Sequence, residues 1–149
     1  MLRALKKTIN FYFLSNSVKV IKSLPGNGEV CLLDIGAAGG VEPRWRPFIQ
    51  FLNYVCFEPD ERSRNSLRKN DNEFKAYEIF PHALAAEKQT LNFNLCRKPL
   101  VSSLYEPNMS FLSRFIDADR FDILEKISTN CIPLDAAYKK HTVAHYLRS

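Results

Sequence analysis

The chain has 149 residues, 46% of them apolar and 25% charged, a balance that suits one folded domain and excludes an intrinsically disordered chain. No run approaches the ~18 uninterrupted apolar residues of a membrane span. The net charge of +5 sits at the two ends: residues 1–30 carry five basic and one acidic residue, residues 31–138 thirteen basic and fifteen acidic, and residues 139–149 three basic and none acidic. That distribution argues against a nucleic-acid partner, which calls for basic residues along one face of the folded body.

Leu2, Leu5, Ile9 and Phe13 recur at helical spacing with Arg3, Lys6 and Lys7 off the stripe. This predicts an amphipathic helix that packs on or precedes the domain, with a membrane-surface anchor as the alternative. Pro25-Gly26-Asn27-Gly28 breaks the chain, so residues 1–28 read as helix and linker. Val30 to Ile35 is apolar without alternation, as in a strand covered on both faces of a parallel sheet. Pro47 to Leu52 predicts a short helix with proline in its first turn. Tyr54 to Phe57 predicts a second buried strand, and Asp60 a cap for a helix running to about Asn70. Lys75 to Phe80 reads as a third strand stopped by Pro81, and Thr90 to Leu95 as a half-exposed strand. Ser110 to Ile116 reads as a short helix and Ile127 to Leu134 as one more strand. Strand, glycine turn, helix, strand, helix is the start of an α/β domain, here residues 29–138, ahead of a basic tail over 139–149.

Cys31, Cys56, Cys96 and Cys131 form no C-x-x-C pair, so neither a metal nor a redox motif is present. No cleavable leader is evident, which makes a reducing, cytoplasmic setting the default expectation. His141 and His145 share one helical face, but the glutamate of H-E-x-x-H is replaced by Thr142 and no metal site is expected.

The chemistry-bearing segment is Asp34-Ile35-Gly36-Ala37-Ala38-Gly39-Gly40, at the carboxyl end of the first strand, where open α/β sheets bind ligands. Glycine allows positive φ there, and bare backbone lets a ligand lie on it. Gly36 and Gly39 are the leading candidates for that floor, with Ala37 and Ala38 keeping it low and Gly40 closing the turn. Glu58, followed by Pro59 at the end of the second strand, can accept hydrogen bonds from both ribose hydroxyls. The spacing is G-x-x-G-G rather than G-x-G-x-x-G, and Pro43 and Pro47 delay the helix whose N-terminus would hold a pyrophosphate. Asp34 suits a cationic ligand. Together these point to S-adenosylmethionine, with its ammonium and sulfonium, rather than to a dinucleotide.

Here the sequence resembles a known family. LLDIGAAGG, VEPRWRPF and YVCFEPD look like the opening of the FkbM-type methyltransferases, and HALAAEKQTLNFNL, VSSLYEPN and CIPLDAAY look like later segments of it, over about residues 30 to 138. The resemblance implies a Rossmann-like class I methyltransferase fold with a mainly parallel sheet, and S-adenosylmethionine-dependent methylation of a hydroxyl on a sugar or small molecule. It implies that Asp34, Gly36 and Gly39 line the methionine end of the cofactor, that Glu58 holds the ribose, and that His82 and Ala83 stand near the adenine. Ser102 and Ser103 would face the substrate side or form a hydrogen-bonded turn. The family continues into a strand ending in a D-x-E-G-like motif. No such motif follows Asp135, so the chain resembles the cofactor-binding front part, truncated before the C-terminal strands. The first strand would then leave one sheet edge unpaired, which predicts self-association. A non-catalytic cofactor-binding module or decayed fragment is the alternative function.

Overall fold

A computed structural model describes residues 18–21, 23 and 30–140. The N-terminal stripe, the turn at Pro25–Gly28, His141 and His145 lie outside the described residues.

The first sheet contains β1 (Val30–Ile35), β2 (Leu52–Phe57) and β3 (Ala76–Phe80), all parallel, in the order β1-β2-β3. Parallel neighbours require crossovers. A 3-10 helix, Arg46–Phe51, supplies the first, with Pro47 in its opening turn, where a missing N–H costs nothing. Helix α1 (Glu61–Leu67), extended by a 3-10 helix over Arg68–Glu73, supplies the second. The expected helix to Asn70 therefore changes its pitch after Leu67. All six residues of β2 are buried, Asn53 included, which explains why Tyr54 to Phe57 run apolar without alternation. Val55 and Phe57 face one core cluster with Phe80 and Ala137, while Tyr54 and Cys56 face another with Ala37 and Leu67. Phe57 and Phe80 stack at 4.9 Å between ring centres.

The second sheet has β4 (Ala83–Leu84), β5 (Gln89–Cys96) and β6 (Ile123–Ile132) in the order β4-β6-β5. Strands β5 and β6 are antiparallel, whereas β4 and β6 are parallel. The molecule is thus a mixed α/β protein in which the first sheet is parallel and the second is not. Strand β6 begins at Ile123, earlier than its apolar stretch suggests, because β5 offers partners as far as Cys96. Strand β5 is exposed over its first half but buried from Phe93 to Cys96, so its alternation fails where other chain segments cover it. Helix α2 (Met109–Leu112) is a single turn capped by Asn108, shorter than the expected span to Ile116. Helix α3 (Leu134–Lys140) follows β6 and sends Ala137 into the core beside Val55 and Phe57. Leu84 and Ile132 pack on the same cluster, so the second sheet and α3 cover one face of the first.

The four cysteines are free thiols. Cys56, Cys96 and Cys131 are buried, and Cys31 is half-buried on β1. Among the described residues, no helix is long and apolar enough to cross a membrane.

Candidate functional site

The carboxyl ends of β1 and β2 and the turn between β3 and β4 open on one side into a cleft of roughly 200 Å³. Gly36, Ala38, Glu58, Pro59, His82 and Ala83 all line it, joined by Ser102 and Ser103. Six of the ten residues expected to hold a cofactor are therefore brought together from three separate loops. The other four, Asp34, Ala37, Gly39 and Gly40, are not part of this lining.

Gly36 continues the ladder beyond β1, donating its N–H to Phe57 O at 2.9 Å, and then turns with φ +77°. A Cβ built there would have no atom within 4 Å. The position is both left-handed and open, so glycine serves conformation and leaves bare backbone facing the gap. Ala37 points down instead and is 2% exposed in the cluster with Tyr54 and Leu67. At Gly39 a Cβ would come within 2.9 Å of Leu100 Cδ2. Gly39 thus lies against the Leu100 side chain, at the edge of the segment that borders the cleft. Gly40 has φ +69° and donates to Ala37 O at 2.8 Å, closing the turn.

Asp34 has a structural partner that its position in sequence did not disclose. Tyr54 donates its hydroxyl to Asp34 Oδ2 at 2.5 Å. Tyr54 itself stacks with Phe74 at 4.8 Å and with Tyr77 at 5.5 Å. Asp34 thus belongs to the face of the sheet that carries Tyr54 and Cys56. Burial, then the hydrogen bond to Asp34, raises the Tyr54 phenol far above its ordinary value, and burial with the Asp34 charge pushes the Cys56 thiol up to about 12.

Glu58 is 2% exposed yet lines the cleft. Its backbone N–H donates to Phe80 O at 2.9 Å, which ties the end of β2 to β3. Its Oε1 accepts Asp60 N–H at 2.8 Å, and Oε2 has no hydrogen-bond donor among the described residues. Arg64 reaches back from α1 and donates through Nη1 to the carbonyls of Glu58 at 2.9 Å and Pro59 at 2.5 Å. Asp60 caps α1 by accepting Arg62 N–H at 2.9 Å and holds the Arg62 guanidinium as well. Burial raises the Glu58 carboxyl to about 7; the Asp60 N–H opposes this, the charges of Asp60 and Asp34 add to it, and Arg64 reduces it. The carboxyl therefore changes charge near neutrality inside the cleft.

The remaining lining is largely apolar and comes from Ile35, Phe57, Leu84, Phe93, Pro99, Leu100, Leu104 and Tyr105. None of these was singled out from the sequence, since chain separation hides their convergence. Ile35, Leu100 and Tyr105 are exposed at its rim. The volume is below the roughly 300–1,000 Å³ of a complete small-molecule site. A second cavity of roughly 90 Å³ lies on the Tyr54 side and is lined by Gly39 and Gly40. Among the described residues, no three His, Cys, Asp or Glu side chains are grouped to hold a metal ion.

Compared with protein-family models, with curated proteins and with solved structures, the chain matches none of them.

Proposed function

We propose that the chain binds S-adenosylmethionine and catalyses methyl transfer to a hydroxyl group of a sugar or other small molecule, on a Rossmann-like framework of the class I type. The observation that carries this reading is the meeting of Gly36, Glu58 and the His82–Ala83 turn at one cleft. In it the carboxylate of Glu58 accepts the ribose hydroxyls, the bare backbone at Gly36 leaves space for the methionine end, and Ala83 with its apolar neighbours flanks the base. The residues fit the group in a specific respect: the space beyond Gly36 is empty to 4 Å, so any side chain there would enter the ligand's place. The cofactor supplies an already activated methyl group. The protein's contribution is alignment of the acceptor with it, which removes much of the entropic barrier.

A dinucleotide fits less well. A pyrophosphate needs the N-terminus of a helix directly behind the glycines. Here the chain passes through Pro43 to a 3-10 helix that starts only at Arg46.

Titration calorimetry tests the proposal. S-adenosylmethionine and its demethylated product bind, and NAD does not. Gly36→Val, which sets a branched side chain into the gap, abolishes that binding. Binding of NAD without binding of the adenosyl compounds overturns the reading. Turnover with hydroxylated acceptors then separates an enzyme from a binding module.

A further inference from the structure

The segment from Pro99 to Tyr105 runs along the cleft and is fastened to β5. Ser103 and Asn94 exchange backbone hydrogen bonds of 2.8 and 3.2 Å, and Asn94 Nδ2 donates to the same Ser103 carbonyl at 3.1 Å. Asn94 is 2% exposed, so its half of the clamp is shielded from water, and a hydrogen bond so shielded is electrostatically stronger. The two serine hydroxyls are then used alike. Ser102 Oγ accepts Cys96 N–H at 3.0 Å, and Ser103 Oγ accepts Tyr105 N–H at 3.2 Å. A hydroxyl carries one proton besides its acceptor lone pairs. Each oxygen is thereby oriented by the backbone, and each proton remains for donation, with no acceptor for it among the described residues. The result is two fixed donors bordering a cleft whose lining also holds the acceptor Glu58.

We propose that Ser102 and Ser103 donate hydrogen bonds to the ring nitrogens of the purine base, Ser103 held in place by Asn94 and Ser102 by Cys96. The assignment rests on the nucleoside reading above and adds how the base is selected. Ser103 is paired with the neighbour of Phe93, and Phe93, Ala83 and Leu84 form the apolar side of the cleft built by β4 and β5. Glu58 takes the ribose, so this side is left for a flat heteroaromatic ring, which buries well against apolar walls. A purine such as adenine carries ring nitrogens that accept hydrogen bonds and no ring N–H to satisfy in return. Two hydroxyl donors match those ring nitrogens, each hydroxyl having its proton free once its oxygen has accepted a backbone N–H.

The experiment is calorimetry on the full chain with S-adenosylhomocysteine, adenosine and deaza analogues in which one ring nitrogen at a time becomes C–H. The unmodified chain binds at least one deaza analogue about five- to tenfold more weakly than its parent, the size of one neutral hydrogen bond. Ser102→Ala and Ser103→Ala each weaken the parent compounds by a similar factor and erase the discrimination against the matching analogue. Ser102→Thr and Ser103→Thr, which keep the hydroxyl, restore it. If the parents bind and the unmodified chain accepts every deaza analogue equally, or if the alanine variants lose the same factor for all of them, the serine assignment is overturned while the nucleoside site stands. If no adenosine compound binds at all, both fall.

Discussion

At the scale of the residue, Glu58 couples stability to pH and, on the proposed function, couples ligand binding to it in the opposite direction. Its carboxyl titrates near 4.5 in an ordinary setting and near 7 in the fold, chiefly because it is buried. Between those values the folded state keeps a proton that the unfolded chain has released. Stability therefore falls as pH rises through this window, and the loss is complete above about 7. On the proposed function, ribose hydroxyls favour the ionised carboxylate, so nucleoside affinity is expected to rise with pH over the upper part of the same range. Calorimetry at pH 6 in buffers of different ionisation heats will show proton release on binding. Glu58→Gln cannot ionise. It is expected to be more stable than the parent at pH 8, by ~2–3 kcal/mol at most, in urea denaturation, and to bind the nucleoside more weakly. A variant that loses stability at pH 8 would show that the carboxylate is a structural anchor instead. Asp34 illustrates the opposite lesson. Its place before the glycines suggested a cationic ligand, yet Tyr54 holds it from the neighbouring strand. The reading of spacing alone could not tell which face of β1 the carboxylate would take.

At the scale of the element, the loop Glu58–Asp60 is rigid because α1 secures it from both sides. Asp60 caps the helix, and Arg64, one turn further on, returns to two carbonyls of the loop. Asp60→Ala should cost about 0.5–2 kcal/mol, the usual range for a lost N-cap, measured by urea denaturation. Arg64→Met keeps the apolar stem but removes both donations, and is expected to weaken nucleoside binding more than it changes the helical circular dichroism. The cap and the three parallel strands were legible beforehand, since each rests on local chemistry: an aspartate before a helix, or an apolar run between breakers. The short α2, the early start of β6 and the covering of β5 were not. These depend on distant partners, as the pairing of Asn94 with Ser103 shows. Gly39 is a similar case, because the atom that a side chain there would meet belongs to Leu100, sixty-one positions away in sequence.

At the scale of the molecule, β1 is bonded to β2 and to no other strand among the described residues. Since Gly36 N–H faces Phe57, alternation turns the amides of Cys31, Leu33 and Ile35 toward the outer edge. Such an edge is a template for another strand. Sedimentation velocity is expected to show association that grows with concentration, and those three amides should exchange hydrogen more slowly as it does. A monomer at every concentration would contradict this. The buried thiols allow a different question to be asked of the whole. Cys56 lies in the centre of the first sheet, whereas Cys96 and Cys131 lie in the second. A thiol-specific reagent can reach each only when its surroundings open, so modification rates under native conditions time the two halves separately. Equal opening energies would mean that the sheets melt as one cooperative unit; unequal ones would identify which wall of the cleft yields first.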